Sequence, residues 1–431
     1  MRIGLIGDNS LEFVEKLLEI WSMSDCAVII DWRMPFAKID ELLIEAKVSL
    51  CYIEKGLIEN GIVTPIHYIT FVKSPNNMIT KLPQNIIEKY KASYSSEEAL
   101  ILYSSGTTGR CKGIILSYYA ITTNADMIMS YMELSSNDAI YIMKSLSHSS
   151  TIVGELLVAL KSLCNIYLSA TIIPPKLTLD QVEKLEITTL CLNPSLLKLY
   201  CEAEKKYNHH FSKLGAVYVS GSYLDPKTIE DFKIIFGDIP LLNVYGLTEA
   251  GPRVTAQTLN DNNVIGSVGK PIGQVQVKIE NCFRKENIGL IKVKTPSCFQ
   301  GYISGQAAKI DMDGWINTGD IGYLDTDGNL FVIGRHDNMM LVGSHNVFPE
   351  DIENYLMRSG LIDDCIVYST FDSINGEKVV CKYTSPKEVR GELYEYCSKG
   401  LAPYEMPKEF QHVDRIETTY NGKKRRLIYG N

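Results

Sequence analysis

The sequence lacks several features that would place it at once. No apolar run reaches transmembrane length, so a membrane span is not expected. Residues 1–7 turn polar too soon to read as a signal peptide. The 11 cysteines include no C-x-x-C pair, which argues against a zinc site or a disulfide framework. Buried free thiols in a reducing cytoplasm are the simplest reading. Basic residues are in the minority, 43 Lys and Arg against 51 Asp and Glu, for a formal net charge of −8. That balance argues against a nucleic-acid-binding surface as the main function. The one basic run, Lys423, Lys424, Arg425 and Arg426, reads by itself as a solvated tail. There is no internal repeat and no low-complexity tract.

Three catalytic signatures are also missing. Gly4 and Gly7 lack the G-x-G-x-x-G spacing of a dinucleotide fingerprint, and no lysine stands in a Walker A context. Ser and His residues occur around His148, but no G-x-S-x-G elbow accompanies them, which sets a hydrolase triad aside.

What is present is a chain of 431 residues, 45% hydrophobic and 22% charged. That is enough for two or three domains around a large core. Residues 2–7, 26–31 and 48–53 read as strands. Asp8, Asn9 and Ser10 form a turn and helix cap. Leu11, Val14, Leu17, Leu18 and Trp21 fall on one face of a helix, and residues 37–46 form a second. The β-α-β-α-β order predicts a parallel sheet covered on both faces. Helical spacing recurs at 120–132 and 152–162. Short β-type runs follow at 139–143, 165–169, 188–192 and 216–220, which suggests a second sheet. From 266 to 333 short Val-, Ile- and Gly-rich runs predict an antiparallel, barrel-like part. Beyond Asp337 lies a smaller unit, with helices at 350–357 and 387–399 and strands at 365–370 and 379–384.

The chain is organised around residues 102–113, L-Y-S-S-G-T-T-G-R-C-K-G. Apolar strands flank a tight polar loop. Glycines let the backbone approach a ligand, and successive N–H groups with hydroxyls make an anion cradle to which Lys112 adds a charge. A polyphosphate is the natural ligand. By composition alone, the same loop could be a solvated hairpin.

The order S-S-G-T-T-G-x-x-K-G resembles the phosphate loop of the adenylate-forming superfamily, which comprises acyl- and aryl-CoA synthetases, nonribosomal-peptide adenylation domains and luciferases. Cys111 stands where that family usually has Pro. Further motifs follow in the family's order. N-V-Y-G-L-T-E-A-G at 243–251 resembles Y-G-x-T-E, W-I-N-T-G-D-I-G at 315–322 resembles G-W-x-x-T-G-D-x-G, and T-Y-N-G-K-K-R-R at 419–426 resembles T-x-x-G-K-x-x-R. The resemblance covers nearly the whole chain. It begins without the longer leader most members carry, so the exposed face of the first subdomain is expected to be repacked or buried in a homodimer.

The resemblance implies an α/β fold: a large N-terminal domain, 1–336, with two α/β sheet subdomains and the barrel-like part, plus a small mobile α+β C-terminal domain, 337–431. It implies ATP and Mg²⁺ as cofactors. ATP would be held by Ser104, Ser105, Gly106, Thr107, Thr108, Gly109 and Lys112, with Ser220, Gly221, Ser222, Tyr245 and Gly246 around the adenine. Asp320 and Arg335 would hold the ribose. Thr248 and Glu249 suit a Mg²⁺–phosphate pair, since Mg²⁺ takes few carboxylates beside phosphate oxygens and waters. Lys423 would be the catalytic lysine, with Lys424 as its neighbouring candidate. Asp337 matches the hinge, and Gly343 the pantetheine tunnel, where Ser344 replaces a frequent second glycine. His148, Ser149, Ser220 and Gly246 would line the acid pocket, His148 as a gate.

The implied activity is ATP-dependent conversion of a carboxylic acid to acyl-AMP, then transfer to a pantetheine thiol of CoA or of a carrier protein. Residues 146–152 hold no carboxylate to pair with an ammonium. They and Ser220–Ser222 are rich in small hydroxyls. The favoured acid is therefore an aryl acid such as a hydroxybenzoate, or a short acyl acid. The alternatives are a stand-alone amino-acid-activating domain and a non-catalytic nucleotide-binding relative; Glu249, Asp320 and Lys423 together argue against the latter.

Overall fold

The computed structural model describes residues 1–59, 66–74, 79–105, 111–170, 173–281, 287–305, 310–343, 345–372, 376–418, 424 and 426. The chain divides into two compact units. One comprises Met1–Leu224, Asp231–Val277 and Val293–Ile316; the other comprises Asp225–Glu230, Lys278–Lys292 and Asn317–Asn431.

The first unit is built on two sheets. The seven-stranded sheet runs in the order Gly301–Tyr302, Cys111–Ser117, Glu98–Ser105, Cys26–Ile29, Arg2–Ile6, Leu50–Glu54, Tyr68–Phe71. It is parallel from Glu98–Ser105 to Tyr68–Phe71 and antiparallel at the other two strands. The predicted β-α-β-α-β opening is present. Ser10 caps the helix Leu11–Ser22 by accepting from the Phe13 N–H, and its Phe13, Val14, Leu17, Leu18, Ile20 and Trp21 are buried.

The eight-stranded sheet has the order Lys270–Pro271, Arg253–Ala256, Leu241–Gly246, Ala216–Val219, Thr189–Leu192, Ala139–Ile142, Asn165–Ser169, Ile79–Lys81. Its central five strands are parallel. The helix Tyr118–Met132 packs on the hairpin strands of the first sheet. It is buried on most sides, as a helix held between layers must be. Residues 152–162 are helical as expected, but Ile152–Leu157 is a fully buried π-helical stretch that continues into the α-helix Val158–Ser162. Such stretches are rare and recur at functional sites. Asn9 ties the two sheets together: its amide donates to the Lys144 carbonyl at 2.8 Å and accepts from the Leu146 N–H at 3.0 Å.

The second unit holds most of a four-stranded sheet, in the order Gln276–Asn281, Gly289–Lys294, Ile316–Leu324, Leu330–Arg335. The barrel-like expectation resolves into this open sheet; no closed barrel occurs among the described residues. A hairpin, Met340–Val342 with His345–Val347, precedes the helix Pro349–Met357. A three-stranded sheet of Asp364–Asp372, Gly376–Thr384 and Glu409–His412 follows, with the helix Arg390–Ser398. Ile352, Leu356, Val367, Cys381, Tyr383 and Leu393 form its core. Among the described residues no helix is long and apolar enough to cross a membrane.

Candidate active site

The predicted loop connects two antiparallel strands, Glu98–Ser105 and Cys111–Ser117, with Ser104 opposite Lys112. Gly106, Thr107, Thr108 and Gly109 lie outside the described residues, as does the Ser105 side chain. The strand before the loop is buried from Ala99 to Tyr103. Burial raises the pKa of the Cys111 thiol, which keeps it protonated and unreactive near neutral pH.

Lys112 Nζ lies 5.5 Å from the Tyr302 ring centroid, within cation–π range. Tyr302 is positioned by strand pairing, Gly301 and Tyr302 lying opposite Ile115 and Ile114. Its hydroxyl donates to Glu249 Oε1 at 2.9 Å. One ring thus joins the lysine of the loop to the carboxylate of the Y-G-L-T-E motif.

That motif is shaped by close backbone approach. A bulge interrupts the ladder between Tyr245 and Gly246. A Cβ on Gly246 would lie 2.1 Å from the Pro252 carbonyl oxygen, so only glycine fits. Thr248–Ala250 then forms a 3₁₀ turn, and the Glu249 carbonyl accepts from the Phe299 N–H at 2.9 Å. Thr248 Oγ1 is 2.9 Å from Ser149 Oγ, which brings the motif against the start of the helical segment.

His148 is half-buried at that start, beside the buried Asp31. Ser147 Oγ donates to Asp31 Oδ2 at 3.0 Å, and Arg33 Nη2 pairs with the same oxygen at 2.5 Å. Burial alone would raise the Asp31 pKa. The Arg33 hydrogen bonds and charge, with a smaller contribution from His148, outweigh it and leave the pKa below its usual value. Asp31 is therefore an ionised carboxylate next to the expected gate residue. Ser220 is buried at the end of Ala216–Val219, and Gly221 follows at φ +101° with Ser222 exposed.

These groups can do definite chemistry. A carboxylate, two hydroxyls and an ammonium, those of Glu249, Thr248, Ser149 and Lys112, stand on neighbouring elements of the first unit. No group of three or more His, Cys, Asp and Glu side chains forms a metal cage among the described residues. A lone carboxylate suits a divalent cation that shares its coordination with phosphate oxygens.

In the second unit Asp320 lies opposite Arg335 on neighbouring strands, and Arg335 Nη1 pairs with Asp320 Oδ1 at 2.8 Å. Asp320 is buried, and its N–H donates to Thr318 Oγ1 at 3.0 Å. Asp337 sits in the exposed 3₁₀ turn His336–Asn338. Gly343 has φ +62° with open space where a Cβ would stand. Lys423 and Ser344 lie outside the described residues. Lys424 pairs with Asp364 at 2.7 Å, and Arg426 with Glu353 at 2.6 Å and Glu350 at 3.3 Å. Both are therefore engaged within their own unit.

Sequence reasoning missed Asp31, Tyr302, Glu155 and Arg253. Asp31 had a usable signal, because a carboxylate just past the C-terminal end of a parallel strand occupies the usual ligand position in such sheets. Nothing in the sequence marks Tyr302. Glu155 and Arg253 interrupt apolar patterns, which is itself a signal when both turn out buried.

A family model described as AMP-binding enzyme matches residues 1–303, and one described as AMP-binding enzyme C-terminal domain matches residues 351–423. The chain is 25% identical to an indoleacetate–CoA ligase of Aromatoleum aromaticum and 26% identical to a 2-succinylbenzoate–CoA ligase of Enterococcus faecalis. In both cases 98% of this chain and 86% of the relative are covered. Among solved structures, an anthranilate CoA ligase in complex with anthranoyl-AMP superposes with a TM-score of 0.85 at 19% identity, covering 99% of this chain and 86% of that one. An o-succinylbenzoate coenzyme A synthetase from Bacillus subtilis, in complex with ATP and magnesium ion, gives 0.84 at 20% identity, covering 99% and 88%. At these identities the superpositions establish the fold.

Proposed function

Because the chain belongs to the AMP-binding enzyme family, we propose that it activates a carboxylic acid with ATP and transfers the acyl group to the thiol of CoA. In the first step a carboxylate oxygen attacks the α-phosphorus, the bond to the β-phosphate bridge breaks, and acyl-AMP and pyrophosphate result. In the second, a thiolate attacks the acyl carbon and AMP leaves. Displacements of this kind depend mainly on positioning and charge neutralisation.

The observation that carries this reading is the Lys112–Tyr302–Glu249 chain beside the hairpin. It holds a cation and a carboxylate in fixed relation, the pair of charges that a Mg²⁺-bound triphosphate requires. Glu249 would hold Mg²⁺ with Thr248 beside it, and the hairpin with Lys112 would hold the phosphates. Asp320 and Arg335 are assigned to the ribose, Ser220, Gly221, Ser222, Tyr245 and Gly246 to the adenine side, and Lys423 to the α-phosphate. The small domain begins at the Asp337 hinge in this reading, and Gly343 serves the pantetheine path. CoA is favoured over a carrier protein because the relatives named above are CoA ligases.

The acid is expected to be aromatic or short, received by His148, Ser149, Ser220 and Gly246. An amino acid is disfavoured. Residues 146–152 offer no carboxylate, and Glu155, further along, is already paired with Lys144 at 2.9 Å. An unpaired buried ammonium would cost several kcal/mol, on the order of a thousandfold in affinity. The test is ATP–pyrophosphate exchange with benzoates, short and long fatty acids and the twenty amino acids. Exchange with aryl or short acyl acids supports the reading; exchange with an amino acid alone overturns it.

A further inference from the structure

Along the helical segment that begins at Ser149 lies a buried charged cluster that the activation chemistry does not use. Arg253 is only 4% exposed, yet its Nε has no hydrogen-bond partner among the described residues. Its guanidinium lies against the helical segment, where a Cβ on Gly154 would come within 3.1 Å of Nη2. The adjacent Glu155 is fully buried and pairs with Lys144. Its carboxyl pKa is raised by burial, while Lys144 and then Arg253 oppose the shift. The hydroxyls of Tyr218 and Thr151 are also buried without hydrogen-bond partners among the described residues, and that of Tyr131 lies against the Arg253 guanidinium. The Tyr131 and Tyr218 rings stand 5.9 Å apart, and both feel the Arg253 charge.

Among the described residues the charges do not balance. Two cations, Lys144 and Arg253, share one carboxylate, and the ion pair uses that carboxylate for Lys144. A buried guanidinium short of partners is costly. The cluster is held in place by its frame: Asn124, fully buried, accepts from the Arg253 N–H at 2.9 Å and donates to its carbonyl at 3.0 Å. It is also in line with the site. Ser149 meets Thr248 at 2.9 Å, and five residues further along the same two segments Gly154 meets Arg253. The guanidinium is therefore met just over one turn further along the helical segment than Ser149.

We propose that Arg253 binds a second negatively charged group of the acid, so that the preferred substrate is a dicarboxylic acid with its carboxylates separated by a ring or a short chain. Arginine suits this role because its planar fork matches a carboxylate in two hydrogen bonds. The unpartnered tyrosine and threonine hydroxyls supply further donors. The inference rests on the acid-activating function proposed above and narrows its substrate.

The experiment compares matched acids in ATP–pyrophosphate exchange: isophthalate and terephthalate against benzoate, and glutarate against butyrate. Wild type, Arg253→Met and Arg253→Lys are measured together, with thermal unfolding to establish that each variant folds. The expected result is at least a tenfold preference of wild type for one diacid in kcat/KM. Arg253→Met should erase it, and Arg253→Lys should keep part of it. If Arg253→Met does not fold, the wild-type preference and Arg253→Lys decide. Exchange with monoacids and no diacid preference overturns the inference alone, and so does an Arg253→Met effect equal for both classes, which would mark a water-bridged structural pair. Exchange with no acid of either class overturns the acid-activating function as well.

Discussion

The hydroxyl of Tyr302 donates to Oε1 of Glu249 at 2.9 Å while its ring lies under the Lys112 ammonium. The carboxylate that would meet Mg²⁺ is therefore oriented by a residue brought in on a two-residue strand more than fifty positions away in sequence. Tyr302→Phe keeps the ring and removes the hydrogen bond. A hydrogen bond to a charged group is worth about 1.5–3 kcal/mol, so pyrophosphate exchange should fall at least about tenfold with the melting temperature nearly unchanged. Wild-type exchange in Tyr302→Phe would mean that Glu249 needs no such orientation.

Asp337→Pro tests the hinge. Proline fixes φ and removes an N–H, which denies the backbone the change a rotating domain requires. Acyl-AMP formation should persist while thioester formation falls by an order of magnitude or more. Full thioester activity would place the hinge elsewhere.

Arg426 sits between two carboxylates, the half-buried Glu350 and the buried Glu353. Burial raises the Glu350 pKa, and Arg426 opposes that shift. Arg426→Met would leave the buried Glu353 and the half-buried Glu350 facing each other without their cation. Breaking a buried pair in this way typically costs about 3–5 kcal/mol. Urea unfolding of the full chain should show a transition at lower denaturant for this variant; an unchanged transition would show that the cluster contributes nothing to the second unit.

A pH effect should come from His209, whose ring nitrogens face Asp180 at 2.9 Å and Glu204 at 2.6 Å. Burial lowers the His209 pKa, but the hydrogen bonds to Asp180 and Glu204 outweigh it and the net shift is upward from 6.5. A raised folded-state pKa gives stability that is fully present below the unfolded value and lost as pH climbs through the folded one. The melting temperature should therefore decline as pH rises from 6.5 through that value. His209→Gln should flatten this part of the profile, and a variant that declines in parallel with wild type would assign the effect to another group.

Much of the fold was legible because its signals are local. The cap at Ser10, the apolar face of its helix and the β-α-β-α-β order depend on neighbouring residues, and all three appear in the structure. The strand pair flanking the loop assigned to the phosphates was legible from two apolar runs around a polar one. The openness of the four-stranded sheet was not, because closure depends on which edges meet. Tyr302 was missed for the same reason: it meets Glu249, distant in sequence. Asp31 and Arg253 carried a local signal, but the residues they meet, Ser147 and Gly154, are distant in sequence. Glu155 was passed over because a single carboxylate in a helical run ordinarily faces water; here the run is held between layers.

The most direct test of the account measures both half-reactions in wild type and Lys423→Ala, using acid-dependent pyrophosphate exchange for the first and CoA thioester formation from supplied acyl-AMP for the second. Wild type should perform both. Lys423→Ala should lose exchange by about a hundredfold, since one charge-stabilising donor is worth ~3 kcal/mol, and should retain most of its thioester formation. Absence of acid-dependent exchange in wild type, or equal loss of both half-reactions in the variant, would contradict it.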